Sequence, residues 1–443
     1  MATIFNTPML NLAKRNVVQR SLALWTTNTA RQSIHSLVDQ GVASATNFFT
    51  GVIIARSCSK QELGLYILAF SLFQFVINIQ TSLISTPYMI YTPRLKGSDR
   101  TLYTGSTLLH QLGLCLLTIL ALIGGIFMIE HGIGPRDLIP VLWALVAVIE
   151  FIMLREYVRR IYFTCLKIKR VLLLDTSVAV SQIIGLLLFA KFRVLTASRA
   201  YWVFGFASGA AVLSWLWLER NHYRLQINES IADLKKNWTF GKWIFASGLV
   251  LTIGVNLYPW LLAFFYGTAS SGVWAVCLGI IALGNPFVLG VQIFLGPKII
   301  HQYTEYDEKS LRRLVLKASV IFALPMLIFS LVMIFLSDPL VSWIYGAQYT
   351  GNSLVVTLLA LNAGINAVAF LYSRALLAIE RADADFIINF IALLIMATLG
   401  FWLVESLGLL GAAFGLLGGS LVTLVIRSGY FLMLSCNSTR RVQ

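Results

Sequence analysis

Charged residues are scarce in this chain of 443 residues, and acidic residues are the scarcest. Lys, Arg, Asp and Glu make up only 12% of the chain, whereas hydrophobic residues make up 58%. An ordinary soluble domain has about 25% charged residues, so the composition indicates a membrane protein instead. The net charge of +15 fits basic loops that contact anionic lipid. We therefore expect membrane lipid, and not nucleic acid, as the partner of these charges.

The sequence motifs of common enzyme classes are also missing. The chain has no GxxxxGK[ST] loop for ATP, no HExxH for zinc and no GxSxG for a nucleophilic serine. Its five cysteines form no CxxC pair and no cluster with histidine, so we expect no metal site. The longest segment predicted outside the membrane, about 219–241, is too short for a domain of its own. We expect neither enzymatic activity nor a cofactor.

Long apolar segments are what the chain has in abundance. Roughly 20 apolar residues cross about 30 Å of hydrocarbon as a helix. Segments of that length occur at approximately 37–56, 65–91, 103–129, 139–160, 171–190, 200–218, 242–266, 273–297, 314–336, 353–376, 386–404 and 409–433. They predict an all-α polytopic protein with about 12 transmembrane helices.

Basic residues fall in every second connection between these segments. Of the 34 Lys and Arg residues, 28 lie on one side; the other side has Arg56, Lys60, Arg136, Lys191, Arg193 and Arg199. Cytoplasmic loops carry the excess of Lys and Arg. Both termini are therefore predicted to be cytoplasmic, in a multi-pass protein of the cell inner or plasma membrane.

The chain also repeats itself at an interval of slightly more than 200 residues. Asn47 and Asn256 head similar stretches, and Gly64-Leu-Tyr66 corresponds to Gly272-Val-Trp274. Because both halves start on the same side of the membrane, this is a parallel repeat. Transporters that are built from such repeats place the substrate site between the halves and rock one half against the other. The predicted division is a cytoplasmic tail 1–36, a six-helix bundle 37–219, a cytoplasmic linker 220–240, a second six-helix bundle 241–435 and a tail 436–443.

Two stretches resemble a known family. The first runs from Leu37-Val-Asp39-Gln40-Gly41 to Glu62-Leu-Gly64-Leu-Tyr66, and the second from Arg155-Glu156-Tyr157-Val158-Arg159-Arg160 to Leu173-Leu174-Asp175. They resemble the polysaccharide flippases, Wzx-like exporters of the multidrug/oligosaccharidyl-lipid/polysaccharide (MOP) superfamily. The resemblance implies a V-shaped pair of six-helix bundles around a central cavity. It also implies movement of a glycan precursor linked to polyprenyl diphosphate to the outer leaflet, with contact to glycan assembly enzymes.

Five residues are candidates for the substrate cavity. Asn47 and Thr50 belong to a polar stripe on the first helix, which serves either a wet cavity or interhelical bonds, and Asn256 repeats Asn47. Arg56 at the outer end of that helix either binds an anionic group with its fork or snorkels to the interface. Arg374 either binds a head group or is simply one of the basic residues that accumulate on the cytoplasmic side.

Three arginines with helical spacing, Arg155, Arg159 and Arg160, are candidates for a cytoplasmic entrance. Two or three of them share a helix face, where they would meet either the head group of the substrate or bulk anionic lipid.

Ionisable residues inside spans are the candidates for coupling to a proton or sodium gradient. Glu150 lies in the middle of the fourth span, where a charge is costly and usually faces a cavity or a partner. His110 lies at similar depth on the preceding helix and is a potential partner. Asp39 begins the first helix, where the helix dipole also favours an acid.

Two other functions stay open. Glu150 alone favours a drug or cation antiporter of the same superfamily. The second is a polytopic glycan polymerase or ligase. Such enzymes tend to have a large loop on the outer face of the membrane, whereas the longest outer loop predicted here, about 337–352, has no Lys, Arg or His.

Overall fold

The regular secondary structure of the chain is all helical over the residues that its computed structural model describes, which are 28–218, 223–305 and 308–441. The α-helices are α1 (Asn28–Ser57), α2 (Lys60–Gln80), α3 (Thr86–Tyr91), α4 (Gly97–Glu130), α5 (Ile139–Thr164), α6 (Ile168–Lys191), α7 (Ala197–Leu218), α8 (Ile227–Tyr266), α9 (Thr268–Ile281), α10 (Asn285–Glu305), α11 (Glu308–Ile344), α12 (Ser353–Ala378) and α13 (Ala382–Arg441). A π-helical segment, Thr81–Ser85, joins α2 to α3.

All twelve predicted spans fall on these helices. Ten helical segments of the described residues are long and apolar enough to cross a membrane. The count differs from twelve because the polar helix α1 is not among the ten and α13 counts once. Within α13, however, Gly408 has non-helical angles (φ 57°, ψ −126°), at the predicted boundary between the last two spans.

The break in α13 depends on glycine. A positive φ such as that of Gly408 is accessible to glycine without steric cost. A Cβ atom on Gly411 would lie 1.8 Å from the carbonyl oxygen of Leu403, so the two arms of the turn touch through their backbones. The final two spans are therefore connected by a very tight reversal.

The segment predicted as a linker, 220–240, is helical from Ile227 onward and packs against the first half. The Tyr103 hydroxyl donates a 2.8 Å hydrogen bond to Oδ1 of Asn237. A Cβ atom on Gly241 would lie 2.3 Å from the carbonyl oxygen of Ser82. The first turns of α8 thus lie on the surface of the first bundle, through polar partners on α4 and a close backbone contact with the π-helical segment.

Loops that the charge pattern assigns to the same side of the membrane contact each other in the structure. Gln61 donates to Asp137 at 2.6 Å, and the backbone N–H of Ala197 donates to Glu62 at 2.6 Å. At the other end of the bundle, the N–H of Arg224 donates to the carbonyl of Thr101 at 3.0 Å. Helix α11 runs to Ile344, so the predicted outer loop 337–352 is shorter than expected. Which end faces the cytoplasm stays a prediction.

Over the described residues, the largest core that the two halves share lies at one end. The largest buried cluster combines Ile54 and Leu63 of the first half with Trp274 and Tyr345 of the second. Further along, separate clusters form around Tyr157 in the first half and around Phe431 in the second. We call the end with residues 56–62 and 343–349 the closed end, and the opposite one the open end.

Candidate functional site

The closed end is built around a reciprocal glycine contact between α2 and α9. A Cβ atom on Gly64 would lie 1.7 Å from the carbonyl oxygen of Thr268, and one on Gly272 would lie 2.2 Å from that of Lys60. Lys60 and Thr268 stand 208 residues apart, as do Gly64 and Gly272. Exchanging the halves therefore maps this contact onto itself, which supports a parallel repeat about a two-fold axis.

Arg56 ties the two halves together at the closed end. Its Nε donates a 2.7 Å hydrogen bond to the carbonyl of Ile344, and its Nη2 donates to the carbonyl of Trp343. These carbonyls end α11, where the helix dipole favours a cation. Gln348 returns a 3.0 Å hydrogen bond to the carbonyl of Ala55. Backbone carbonyls of α11 thus engage the guanidinium of Arg56, and its expected role in the cavity stays a prediction.

A cleft of about 840 Å³ lies between α1 and α2 of the first half and α9 and α10 of the second. Its polar lining residues are Gln40, Ser44, Asn47, Asn285 and Gln292. Exposed apolar side chains complete it, among them Phe49 (53% exposed) and Leu283 (45%). The structure therefore places Asn47 on the wall of a cavity between the halves.

Thr50 and Asn256, the other two polar candidates for the cavity, make hydrogen bonds to helices. Thr50 is buried and accepts a 3.0 Å hydrogen bond from Nε2 of Gln182, which joins α1 to α6. Asn256 donates at 2.9 Å to the carbonyl of Thr252 in its own helix. The polar stripe of α1 is thus divided between the cleft and the bundle interior, and Asn256 does not repeat the position of Asn47 in the cleft.

A chamber of about 230 Å³ inside the first half shares Gln40 and Asn47 with the cleft. We call it the first chamber. Arg155 and Arg159 both bind Asp175 there at 2.5 Å, and Nη2 of Arg159 also binds Asp39 at 2.7 Å. Arg155 binds Glu156 at 2.9 Å as well. Helices α1, α5 and α6 thus meet in one network of ion pairs.

The carboxylates of this network already engage its arginines. Two guanidinium groups pair with the carboxylates of Asp39, Glu156 and Asp175, and the charge of Arg160 also acts on Glu156. Among the described residues, Oδ1 of the buried Asp39 has no hydrogen-bond partner. An anionic head group would have to displace these carboxylates, and the entrance role of Arg155 and Arg159 stays a prediction.

The remaining entrance and coupling candidates make none of these ion pairs. Arg160 is half-buried, and its charge acts on Glu156 and Arg159 at the edge of the network. Nε2 of His110 lies 2.8 Å from the carbonyl oxygen of Ser230, to which it donates. The suggested pair of His110 with Glu150 is therefore absent, because α8 supplies the histidine's partner. Glu150 is half-buried and has no ion pair with a described residue.

A larger chamber, of about 640 Å³, lies inside the second half and shares Leu278 and Gln292 with the cleft. We call it the second chamber. Arg374 lines it, as expected, with its guanidinium carbon 4.5 Å from the centre of the Phe370 ring.

Sequence reasoning missed the ion pair that borders the second chamber. Nε of Arg427 lies 2.8 Å from Asp385, and its Nη2 donates to Asn389 at 2.8 Å. A single Arg within an apolar run, as in Leu-Val-Ile-Arg427, is the signal that could have identified this pair.

No family model and no curated protein matches the chain, but solved structures do. An inward-facing multidrug resistance MATE family transporter of the MOP superfamily has a TM-score of 0.73 at 16% identity, covering 89% of this chain and 95% of that one. The lipid II flippase MurJ in an inward closed conformation has 0.72 at 19%, covering 93% and 91%. An outward-facing MATE transporter has only 0.58 at 16%, covering 93% and 96%. At such identities the likeness concerns the fold: the chain has the fold of MOP-superfamily transporters.

Proposed function

We propose that the chain is a membrane transporter that moves a glycan precursor, linked to lipid through an anionic diphosphate, across the membrane by alternating access. The observation that carries this proposal is the combination of linings around the cleft. The cleft joins a chamber with polar and charged side chains in each half, while its own wall includes exposed apolar residues such as Phe49, Leu283 and Leu289.

Such a cleft suits a substrate with two incompatible parts. A polar head group crosses hydrocarbon only at high cost. It therefore needs the polar groups inside the protein, of which Asn47 and Gln292 stand at the entrances from the cleft to the chambers. A lipid tail can stay against the apolar wall and in the bilayer. Because the halves now meet at the closed end, transport requires them to part there and to approach each other at the open end. The similar folds of the lipid II flippase and the MATE transporters support this cycle.

Asp39 is the residue that we propose for coupling to an ion gradient. It shares the guanidinium of Arg159 with Asp175, and its Oδ1 is unpartnered among the described residues. A buried carboxylate that shares one counter-charge with a second carboxylate favours uptake of a proton or a sodium ion. Charging and discharging this network would change how α1, α5 and α6 pack, and α1 forms one wall of the cleft.

Flux in proteoliposomes tests the proposal. The substrate is a polyprenyl diphosphate oligosaccharide with a fluorescent label, and flipping is the fraction protected from a membrane-impermeant quencher. We expect faster flipping than in empty vesicles and further acceleration by an imposed pH or sodium gradient. Asp39→Asn should lose the response to the gradient, whereas the exposed control Asp383→Asn should keep it. Flipping no faster than in empty vesicles would reject the function.

One observation favours a second candidate, a drug or cation antiporter. The carboxylates of Glu156 and Asp175 line the first chamber, which reaches Asn47 at the edge of the cleft, and they would attract an organic cation. The same vesicles, loaded with ethidium, decide between the two functions. Ethidium exchange against protons, with no movement of the labelled lipid, would establish the antiporter.

A further inference from the structure

We infer that the second chamber recognises the sugar part of the substrate and binds a saccharide that carries one acidic group. This inference rests on the proposed function and deepens it. It assigns the glycan to one half of the molecule, while the diphosphate stays in the cleft.

The first argument is the chemistry of the chamber wall. Asn366 is exposed although it lies well inside α12. Its Nδ2 is held by the carbonyl of Asn362 and the hydroxyl of Ser420, both at 3.0 Å, so its Oδ1 can accept a further hydrogen bond. Gln292 stands where the cleft meets the chamber, and Ser373 also lines the wall. Amides and hydroxyls both donate and accept, as sugar hydroxyls require.

The second argument is a set of buried polar atoms in the same wall. The hydroxyl of Tyr258, Nε1 of Trp274 and Oδ1 of Asn362 have no hydrogen-bond partner among the described residues. These residues are 0%, 1% and 8% exposed, and all three line the chamber. Buried polar atoms are normally paired. Small rotations toward the chamber would give them partners among the hydroxyls of a bound sugar.

The third argument is charge. Arg427 and Asp385 neutralise each other, so the positive charge of Arg374 remains. One guanidinium fork matches one carboxylate, whereas a diphosphate carries more than one negative charge. The Phe370 ring supports the guanidinium from one side and restricts its movement. The chamber volume of about 640 Å³ is within the usual range for small-molecule sites, roughly 300–1,000 Å³.

Binding of three synthetic lipids to the full chain in nanodiscs tests the inference. The probes are undecaprenyl diphosphate alone, with one glucose and with one glucuronic acid. We expect the wild type to bind the glucuronic acid lipid about tenfold more tightly than the glucose lipid, through a bidentate pair. The glucose lipid should in turn bind more tightly than the bare one. Arg374→Gln should abolish the preference for the glucuronic acid lipid over the glucose lipid. Gln292→Leu should reduce the preference for the glucose lipid over the bare lipid.

Each failure has its own signature. A control, Arg381→Gln, removes a base near the same end of the second half, which pairs with Asp383 outside the chamber, and should keep both differences. If Arg374→Gln still prefers glucuronic acid, or if the wild type binds all three lipids equally, the chamber is not the sugar subsite, although the proposed function stands. If the wild type binds none of the three, the proposed function fails as well.

Discussion

Removing the guanidinium of Arg56 should loosen the closed end. The side chain links α1 to the last turn of α11 through the carbonyls of Trp343 and Ile344. A cation at a helix C-terminus contributes about 0.3–1 kcal/mol at an exposed site, and Arg56 is exposed. We therefore take roughly 1 kcal/mol as the loss in Arg56→Ala, which raises the ratio of open to closed states at this end about fivefold.

Distances between spin labels at Arg136→Cys and Thr350→Cys, in a background without other cysteines, measure this ratio in nanodiscs. The labels lie on the two halves at the closed end, so opening adds a longer distance. Arg56→Lys should fall between wild type and alanine, because it keeps the charge but loses the fork. Arg199→Ala is the matched control, since Arg199 donates to the carbonyl of Val194 within the first half.

The result that refutes this reasoning is specific. If Arg56→Ala and Arg199→Ala give the same distance distribution as the wild type, the contact of Arg56 with α11 does not hold the halves together. Arg56 would then be a base at the membrane interface whose contacts have no net effect.

Two further predictions concern buried contacts. Gly64→Ala should populate the open form of the closed end in the same spin-label assay, because its Cβ would meet Thr268 at 1.7 Å; Gly51→Ala, whose Cβ meets nothing within 4 Å, should not. Arg427→Met should lower the melting temperature by leaving the half-buried Asp385 without its counter-charge, a loss of roughly 1–3 kcal/mol, whereas adding Asp385→Leu should restore most of it. An unchanged melting temperature in Arg427→Met would show that this ion pair adds nothing to stability.

The sequence predicted the helices well because a bilayer imposes a simple rule of length and polarity. Twelve apolar segments lie on helices, and the boundary between the last two falls at Gly408. The rule does not cover polar residues that form helix. Residues 227–240 were predicted as a linker because they are charged and amidic, and they form the start of α8. Their partners on α3 and α4 are distant in sequence and gave no local signal.

The site was less predictable, because the role of a polar residue depends on which helix it faces. Asn47 and Arg374 do line cavities, but the partners of Asp39 and Arg159 lie on different helices. Asp175 was visible only as part of a family motif. The rule that an ionisable residue within an apolar run marks a functional or structural pair would have identified it.

The symmetric contact and the two unlike chambers together allow the proposed cycle to be directional. The Gly64 and Gly272 contact is symmetric, so opening the closed end moves both halves alike. The chambers, in contrast, differ in their charged groups: the first holds an ion-pair network of arginines and carboxylates, and the second holds Arg374 beside the neutral pair of Arg427 and Asp385. Under the proposed function, we expect an ion to bind at the carboxylates of the first half and an acidic group to bind at Arg374 in the second. Since both chambers meet the same cleft, a symmetric movement would then exchange an ion in one half for a substrate in the other.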